Sequence, residues 1–471
     1  MVDDLLEQLR TVRDRPAWSK PPEEVRTALR ESLPRAGQGE EATYRQFRER
    51  VQPYGTGNLH PRFWGWVIGT GSPFAALTEM LAAGLNPNVG GFDDAASLVE
   101  DQVIDWFREA MGFPASASGL MVSGGSMANL VGLAVARHAK APFDVRRFGQ
   151  GASPKPMVLY ASTETHSSVQ KAVELLGLGR EALRYVPVDG EYRIDLRALE
   201  QAIDRDRREG LLPFALVGNA GTVNTGALDD LPALASIARR EGLHFHVDGA
   251  IGALAVLSPE LRDRFRGVAD ADSLAFDPHK WGHFPIEAGC ILVRDGAAHR
   301  AAFASSAAYL ARAQGGVAAR TELFSDLGPQ LSRGFKALKV WMGLKAFGAD
   351  KLGRLMRQNV AQAAYLADRV LQSPELQLMA PAPLNIVCFR YRGTAAADSA
   401  EAELDALNRA LLVDLQESGL AVPSSTLLGG RFAIRVCITN HRTRWEDLVL
   451  LVTEAARRGR ALAQSRATVT A

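Results

Sequence analysis

From about residue 119 to residue 293 the chain repeats one pattern: a short apolar run, a turn, then a stretch of helical period. The apolar runs fall at 120–122, 157–161, 185–188, 214–217, 244–247, 274–276 and 290–293. Helical stretches lie between them at 127–138, 167–176, 196–208 and 231–241, the last opened by the N-cap candidates Asp229 and Asp230. Strands this short and this apolar are buried on both faces, and helical connections return the chain to the same edge of a sheet. The pattern therefore predicts an α/β fold with a mostly parallel, seven-stranded sheet covered by helices on both sides.

The flanking segments read differently. Leu5, Leu6, Leu9 and Val12 share one helical face, but residues 15–41 are rich in Pro, Arg and Glu and too poor in apolar residues for a domain of their own. Residues 1–75 are accordingly expected to form a helical arm that packs on something else, a second subunit being one candidate. Within it, Phe63, Trp64 and Trp66 are interleaved with Gly and Pro, which suits either a pocket lining or an apolar patch beneath the arm. Helices are expected at 73–83 and 96–111, around the turn Gly90-Gly91-Phe92-Asp93-Asp94. After a helix at 334–347 the order becomes helix 352–371, strand 385–391, helix 403–418, strand 432–438, helix 445–457, with a frayed end from 464. The expected division is an arm (1–75), a large α/β domain (76–345) and a small α+β domain (346–471).

Several partner classes are excluded. A formal net charge of +1 over 471 residues gives no electrostatic case for nucleic acid or an anionic membrane. No apolar run approaches the roughly 18 residues of a membrane span, and the acidic N-terminus lacks a signal-peptide core. Cys290, Cys388 and Cys437 lie far apart, like buried thiols of a reducing compartment and unlike a disulfide framework or zinc site. A soluble cytoplasmic protein without a metal site is the expectation.

Ligands of α/β sheets bind beyond the carboxyl ends of the strands, so the residues there carry the chemistry. Lys280, in Asp277-Pro278-His279-Lys280-Trp281, follows the apolar run at 274–276 and is flanked by His and Trp, an unusual setting for a lysine. Ser123-Gly124-Gly125-Ser126 precedes a helix, whose first N–H groups favour a phosphate, although the same residues make ordinary turns. It is neither a dinucleotide fingerprint nor a P-loop. Asp248 ends a strand, where a carboxylate either holds a cationic ring nitrogen or caps a turn. His166 opens a helix and suits either stacking on a flat ligand or a capping role. Asn219 and Thr222 offer an amide and a hydroxyl from another strand end. Singly none is decisive; together they are the parts needed to hold pyridoxal phosphate.

The motif Asp277-Pro278-His279-Lys280-Trp281 resembles the Asn-Pro-His-Lys-Trp of group II pyridoxal-phosphate-dependent amino-acid decarboxylases, a fold-type I family that includes aromatic-amino-acid, histidine and glutamate decarboxylases. His246-Val247-Asp248-Gly249-Ala250 is similar to its His-Val-Asp-Ala-Ala, with Gly249 a departure. The resemblance runs from about His60 into the C-terminal region. It implies that Lys280 holds the cofactor as a Schiff base, that Asp248 pairs with the pyridine nitrogen and that His166 stacks on the ring. Ala250 would pack on the other face, Gly125, Ser126 and His279 would lie near the phosphate, and Thr222 would help from the side. It also implies a homodimer with an exchanged arm, Phe92 reaching the partner's site. The reaction implied is decarboxylation of an L-amino acid to an amine. An aromatic or apolar substrate is expected, with Trp66, Phe92 and Phe324 as pocket candidates.

One departure bears on the product. Family members often carry a proton-donating tyrosine in a mobile loop ahead of a Ser-Arg-Gly-Phe-Lys-like stretch, and those with Phe there can release an aldehyde by oxidative deamination. Here Phe324 stands near that position, Tyr309 is the nearest tyrosine, and His166 and His283 are other proton sources. Simple decarboxylation is the expectation, with the oxidative route or another carbon–carbon lyase reaction as the alternative and a catalytically silent homologue as a further one.

Overall fold

The computed structural model describes residues 1–305, 314–320, 322–393 and 401–470. They form two compact units, one of residues 69–361 with 381–384, the other of residues 1–68 with 362–380 and 385–471. The first 68 residues thus share a unit with the C-terminal residues, a grouping different from the three-part division drawn from composition.

Strand β1 (Phe63–Trp64) comes first along the chain. Strands β2 (Ser118–Val122), β3 (Met157–Ser162), β4 (Leu183–Val186), β5 (Leu212–Asn219), β6 (His244–Asp248), β7 (Ser273–Phe276) and β8 (Gly289–Val293) follow in the larger unit. They form a seven-stranded sheet in the order β2-β8-β7-β6-β5-β3-β4. Pairing is parallel from β7 through β6, β5 and β3 to β4, whereas β8 runs against both β2 and β7. All positions of β3, β6, β7 and β8 are buried, as expected for strands covered on both faces.

The helix Gly125–Lys140 buries Ala128, Val131, Leu133 and Val135 all around its axis, so it lies inside the unit. Leu196–Arg208 is one-sided, burying Leu199 and Ile203, and Asp195 caps it by accepting from Ala198 N at 3.0 Å. Of the two expected caps of Leu231–Arg240, only Asp230 serves, accepting from Ala233 N. Asp229 turns inward and accepts from Ile194 N, Asn219 N and Asn219 Nδ2. A buried ion pair between Glu100 and Arg333 ties Ala95–Met111 to the segment before the last helices of the unit, and Arg333 also donates to the carbonyls of Val89 and Met121.

The other unit holds β9 (Leu376–Leu378), β10 (Ile386–Tyr391), β11 (Val422–Leu428) and β12 (Arg431–Cys437), in the order β1-β11-β12-β10-β9. Neither β9 nor β11 shows in the hydrophobic pattern; β11 carries Pro423 and leaves Ser425 exposed. Phe63 is buried against Ala17 and Val422, and Trp64 is buried with Nε1 donating to Thr443 Oγ1. Both rings are therefore core, which settles them as the patch beneath the arm. Arg13 pairs with Asp447 at 2.9 Å, and Ala17 N donates to Gly419 O. Residues 23–28, inside the stretch 15–41 read as a surface crossing, are helical, and so are residues 40–50 at its end. The last helix continues to Thr470, past the expected fraying point.

Candidate active site at the carboxyl ends of the strands

Strand β7 runs into a turn in which Lys280 N donates to Asp277 O at 3.0 Å. That turn brings Lys280 Nζ to 2.8 Å from Asp277 Oδ2. Asp277 is buried, and neither of its carboxylate oxygens has a hydrogen bond; the contact with Lys280 is an ion pair without hydrogen-bond geometry. His279 accepts from Ala288 N through Nδ1 at 3.1 Å, and burial pushes its pKa below the ordinary value. Trp281 fixes the far side of the turn, fully buried with Nε1 donating to Asn359 Oδ1.

The Ser123-Gly124-Gly125-Ser126 turn faces this one. A Cβ on Gly125 would stand 2.8 Å from Asp277 Oδ2 and 3.1 Å from the Ala250 Cβ. One on Gly124 would stand 3.1 Å from His279 Cε1. Only glycine leaves this space open, and the N–H groups of Gly125 and Ser126 stand at the start of Gly125–Lys140 beside it, ahead of Met127 N and Ala128 N, which donate to Gly124 O. Ser126 is exposed in the first turn.

Asp248, at the end of β6, is buried. Its Oδ1 accepts from Ala250 N at 3.0 Å and its Oδ2 from Asn129 Nδ2 at 2.8 Å. His166 caps Ser167–Leu175, its Nδ1 accepting from Ser168 N at 3.2 Å. Its ring is open to solvent on one side, yet the protein around the rest pushes its pKa down through desolvation, partly opposed by Asp248. The imidazole is therefore neutral near pH 7. His246, behind Asp248 on the same face of β6, opens the motif His246-Val247-Asp248-Gly249-Ala250 but carried no expected role; its spacing of two residues from Asp248 was the available signal.

Other predicted site residues sit elsewhere or are engaged. Thr222 is buried, its hydroxyl accepting from Ala227 N and meeting Thr225 Oγ1. Asn219 donates to Thr165, Ser162 and Asp229. Trp66 belongs to the other compact unit, with a largely exposed ring. Phe92 is half-buried, in the turn where Asp93 N donates to Val317 O. Phe324 departs from its expected place in a loop: it begins the 3-10 turn Phe324–Leu327, buried between the guanidinium groups of Arg320 and Arg333. His283 is buried. Tyr309 lies outside the described residues.

Residues 22–392 match the family model for the pyridoxal-dependent decarboxylase conserved domain. The chain belongs to the pyridoxal-dependent decarboxylases. It is 32% identical over 96% of its length to an aromatic-L-amino-acid decarboxylase of Bacillus atrophaeus, covering 92% of that protein. It is 30% identical over 93% of its length to a phenylacetaldehyde synthase of Arabidopsis thaliana, covering 90% of it. The solved structure of Oryza sativa TDC with PLP and tryptamine superposes with a TM-score of 0.88 at 28% identity, over 96% of this chain and 95% of that one.

The decarboxylase site fits pyridoxal phosphate on its own geometry. A glycine-lined space at a helix N-terminus suits the phosphate, and a lysine beside it suits a carbonyl carbon. A buried carboxylate suits a ring nitrogen.

Proposed function

We propose that this pyridoxal-phosphate-dependent decarboxylase acts on an aromatic L-amino acid, releasing CO2 and the corresponding amine. The observation that carries the reading is the gathering of Lys280, the Gly124–Gly125 space, Asp248 and His166 beyond the carboxyl ends of β7, β2, β6 and β3. The aromatic preference is supported by the aromatic-L-amino-acid decarboxylase relative and by the tyrosine decarboxylase of Petroselinum crispum at 30% identity.

When bound, the cofactor supplies an electron sink for the bond that breaks. Lys280 Nζ is the anchoring nitrogen. The N–H groups at Gly125 and Ser126, with His279, would hold the cofactor's phosphate. Asp248 would keep the ring nitrogen protonated, His166 and Ala250 would confine the ring, and Thr222 would support it from the side. Phe92 reaches across the dimer to line the substrate pocket of the other subunit. The enzyme works as a cytoplasmic homodimer, a reading supported by exposed Met80, Leu81 and Leu85 on the helix Pro73–Leu85 and by three free, buried cysteines.

Incubation of the purified holoenzyme with each common amino acid, following CO2, amine, ammonia and peroxide, tests this. Equal CO2 and amine from Phe, Tyr or Trp without peroxide is the expected result. CO2 with ammonia, peroxide and aldehyde would replace it with oxidative deamination, which the phenylacetaldehyde synthase relative supports.

A further inference from the structure

His244, His246 and Asp248 alternate along β6 and point to one face, against the helix Gly125–Lys140. The approach is close: a Cβ on Gly132 would stand 2.6 Å from His246 Cε1. Asn129, buried on that helix, joins the groups. Its Nδ2 donates to Asp248 Oδ2 at 2.8 Å and to Ser168 Oγ at 2.9 Å, and its Oδ1 meets His246 Nε2 at 2.9 Å. His246 Nδ1 meets Ser273 Oγ at 2.7 Å, and Ser273 Oγ meets His244 Nε2 at 2.8 Å. On the other side Ser168 Oγ meets His166 Nδ1 at 2.8 Å.

The direction of every bond in this chain is determined. A carboxylate only accepts, so the Asn129 amide nitrogen must face Asp248 and its carbonyl must face His246. His246 Nε2 therefore carries a proton. Burial lowers the pKa of His246 and of His244 to about 3, so both rings are neutral. His246 Nδ1 then accepts from the Ser273 hydroxyl, whose oxygen accepts from His244 Nε2–H. Ser168 Oγ accepts from Asn129, which turns its own hydrogen toward His166 Nδ1. The backbone N–H of Ser168 points at the same nitrogen, so His166 carries its proton on Nε2.

We propose that Asn129 is a positioning residue for the cofactor ring: one amide group orients Asp248 and, through Ser168, His166. This rests on the reading that Asp248 and His166 border that ring. Both of its amide hydrogens are used, one for each neighbour, and its carbonyl is backed by a neutral histidine. Leucine, of similar size, offers none of these bonds. Asp248 would then be held only by the bond from Ala250 N, less firmly aimed at the ring nitrogen, and Ser168 would lose the donor that directs its hydroxyl.

Two measurements test the proposal. In the cofactor-free wild-type protein, nitrogen-15 NMR of the imidazoles should find His166 and His246 both neutral with the proton on Nε2; a proton on Nδ1 of His246 reverses the chain and overturns the assignment. In the second, Asn129→Leu should bind pyridoxal phosphate about tenfold more weakly than wild type, as loss of a hydrogen bond to a charged group implies. It should also shift the absorption band of the bound cofactor, while Ser168→Ala changes affinity about threefold or less. A folded Asn129→Leu protein with wild-type affinity and spectrum would reject the positioning role. Should that variant not fold, the NMR result on the wild-type protein decides alone. Failure of the wild-type protein itself to bind pyridoxal phosphate would sink the functional reading instead, so the two ideas fail separately.

Discussion

Lys280 Nζ lies 2.8 Å from Asp277 Oδ2, on a buried carboxylate with no hydrogen bond of its own. The related family motif has Asn at this position. The same carboxylate oxygen would be 2.8 Å from a Cβ on Gly125, so it faces the space assigned to the phosphate. A carboxylate there repels a phosphate and attracts the lysine ammonium, and both effects oppose cofactor loading. Asp277→Asn should therefore lower the dissociation constant for pyridoxal phosphate about tenfold, roughly 1.4 kcal/mol. Equilibrium titration followed by cofactor absorbance measures it, and weaker binding by the variant would contradict the assignment.

His244, His246 and His299, in the larger unit, are buried and neutral. Burial lowers the pKa of His244 and His246 to about 3 and that of His299 to about 4. The unfolded chain takes up these protons near pH 6.5, the folded chain only near 3 to 4. The stabilisation is thus complete above about pH 6.5 and is lost as pH falls toward those values, at up to about 1.4 kcal/mol per pH unit for each histidine. His299 meets Ser118 Oγ and Leu327 O, both at 2.7 Å. His299→Gln should flatten the fall in urea-unfolding free energy between pH 6 and 5 by about one proton's worth. An unchanged slope would show that His299 is not buried in its neutral form.

Phe324 bears on the product only if its ring reaches the reacting groups. It is instead packed between Arg320 and Arg333, and Arg333 is paired with buried Glu100. Phe324→Tyr should leave the ratio of amine to aldehyde unchanged while costing about 1–3 kcal/mol from overpacking. Product analysis by mass spectrometry, with thermal melts alongside, checks both parts. A switch of product would place Phe324 at the reaction after all.

The sheet was legible because strands buried on both faces read as apolar runs, and β3, β6, β7 and β8 are buried throughout. β11 was not, since Val422-Pro423-Ser424-Ser425-Thr426 carries Pro and polar residues and borrows its order from β12 and β1. Lys280 and Asp248 stood out because charged groups at the ends of apolar strands are rare. Asn129 was hidden: it sits in an apolar helix, and its partner Asp248 lies 119 residues away. Asp229 was misjudged as a cap because a cap and an inward acceptor of backbone N–H groups use the same side chain.

Anchoring of the cofactor by Lys280 has a direct test. Borohydride reduction of the wild-type holoenzyme, followed by peptide mass spectrometry, should place one pyridoxyl adduct on the peptide containing Lys280, and Lys280→Ala should yield none. An adduct on a different lysine of the wild-type protein, or one that survives in Lys280→Ala, would contradict it.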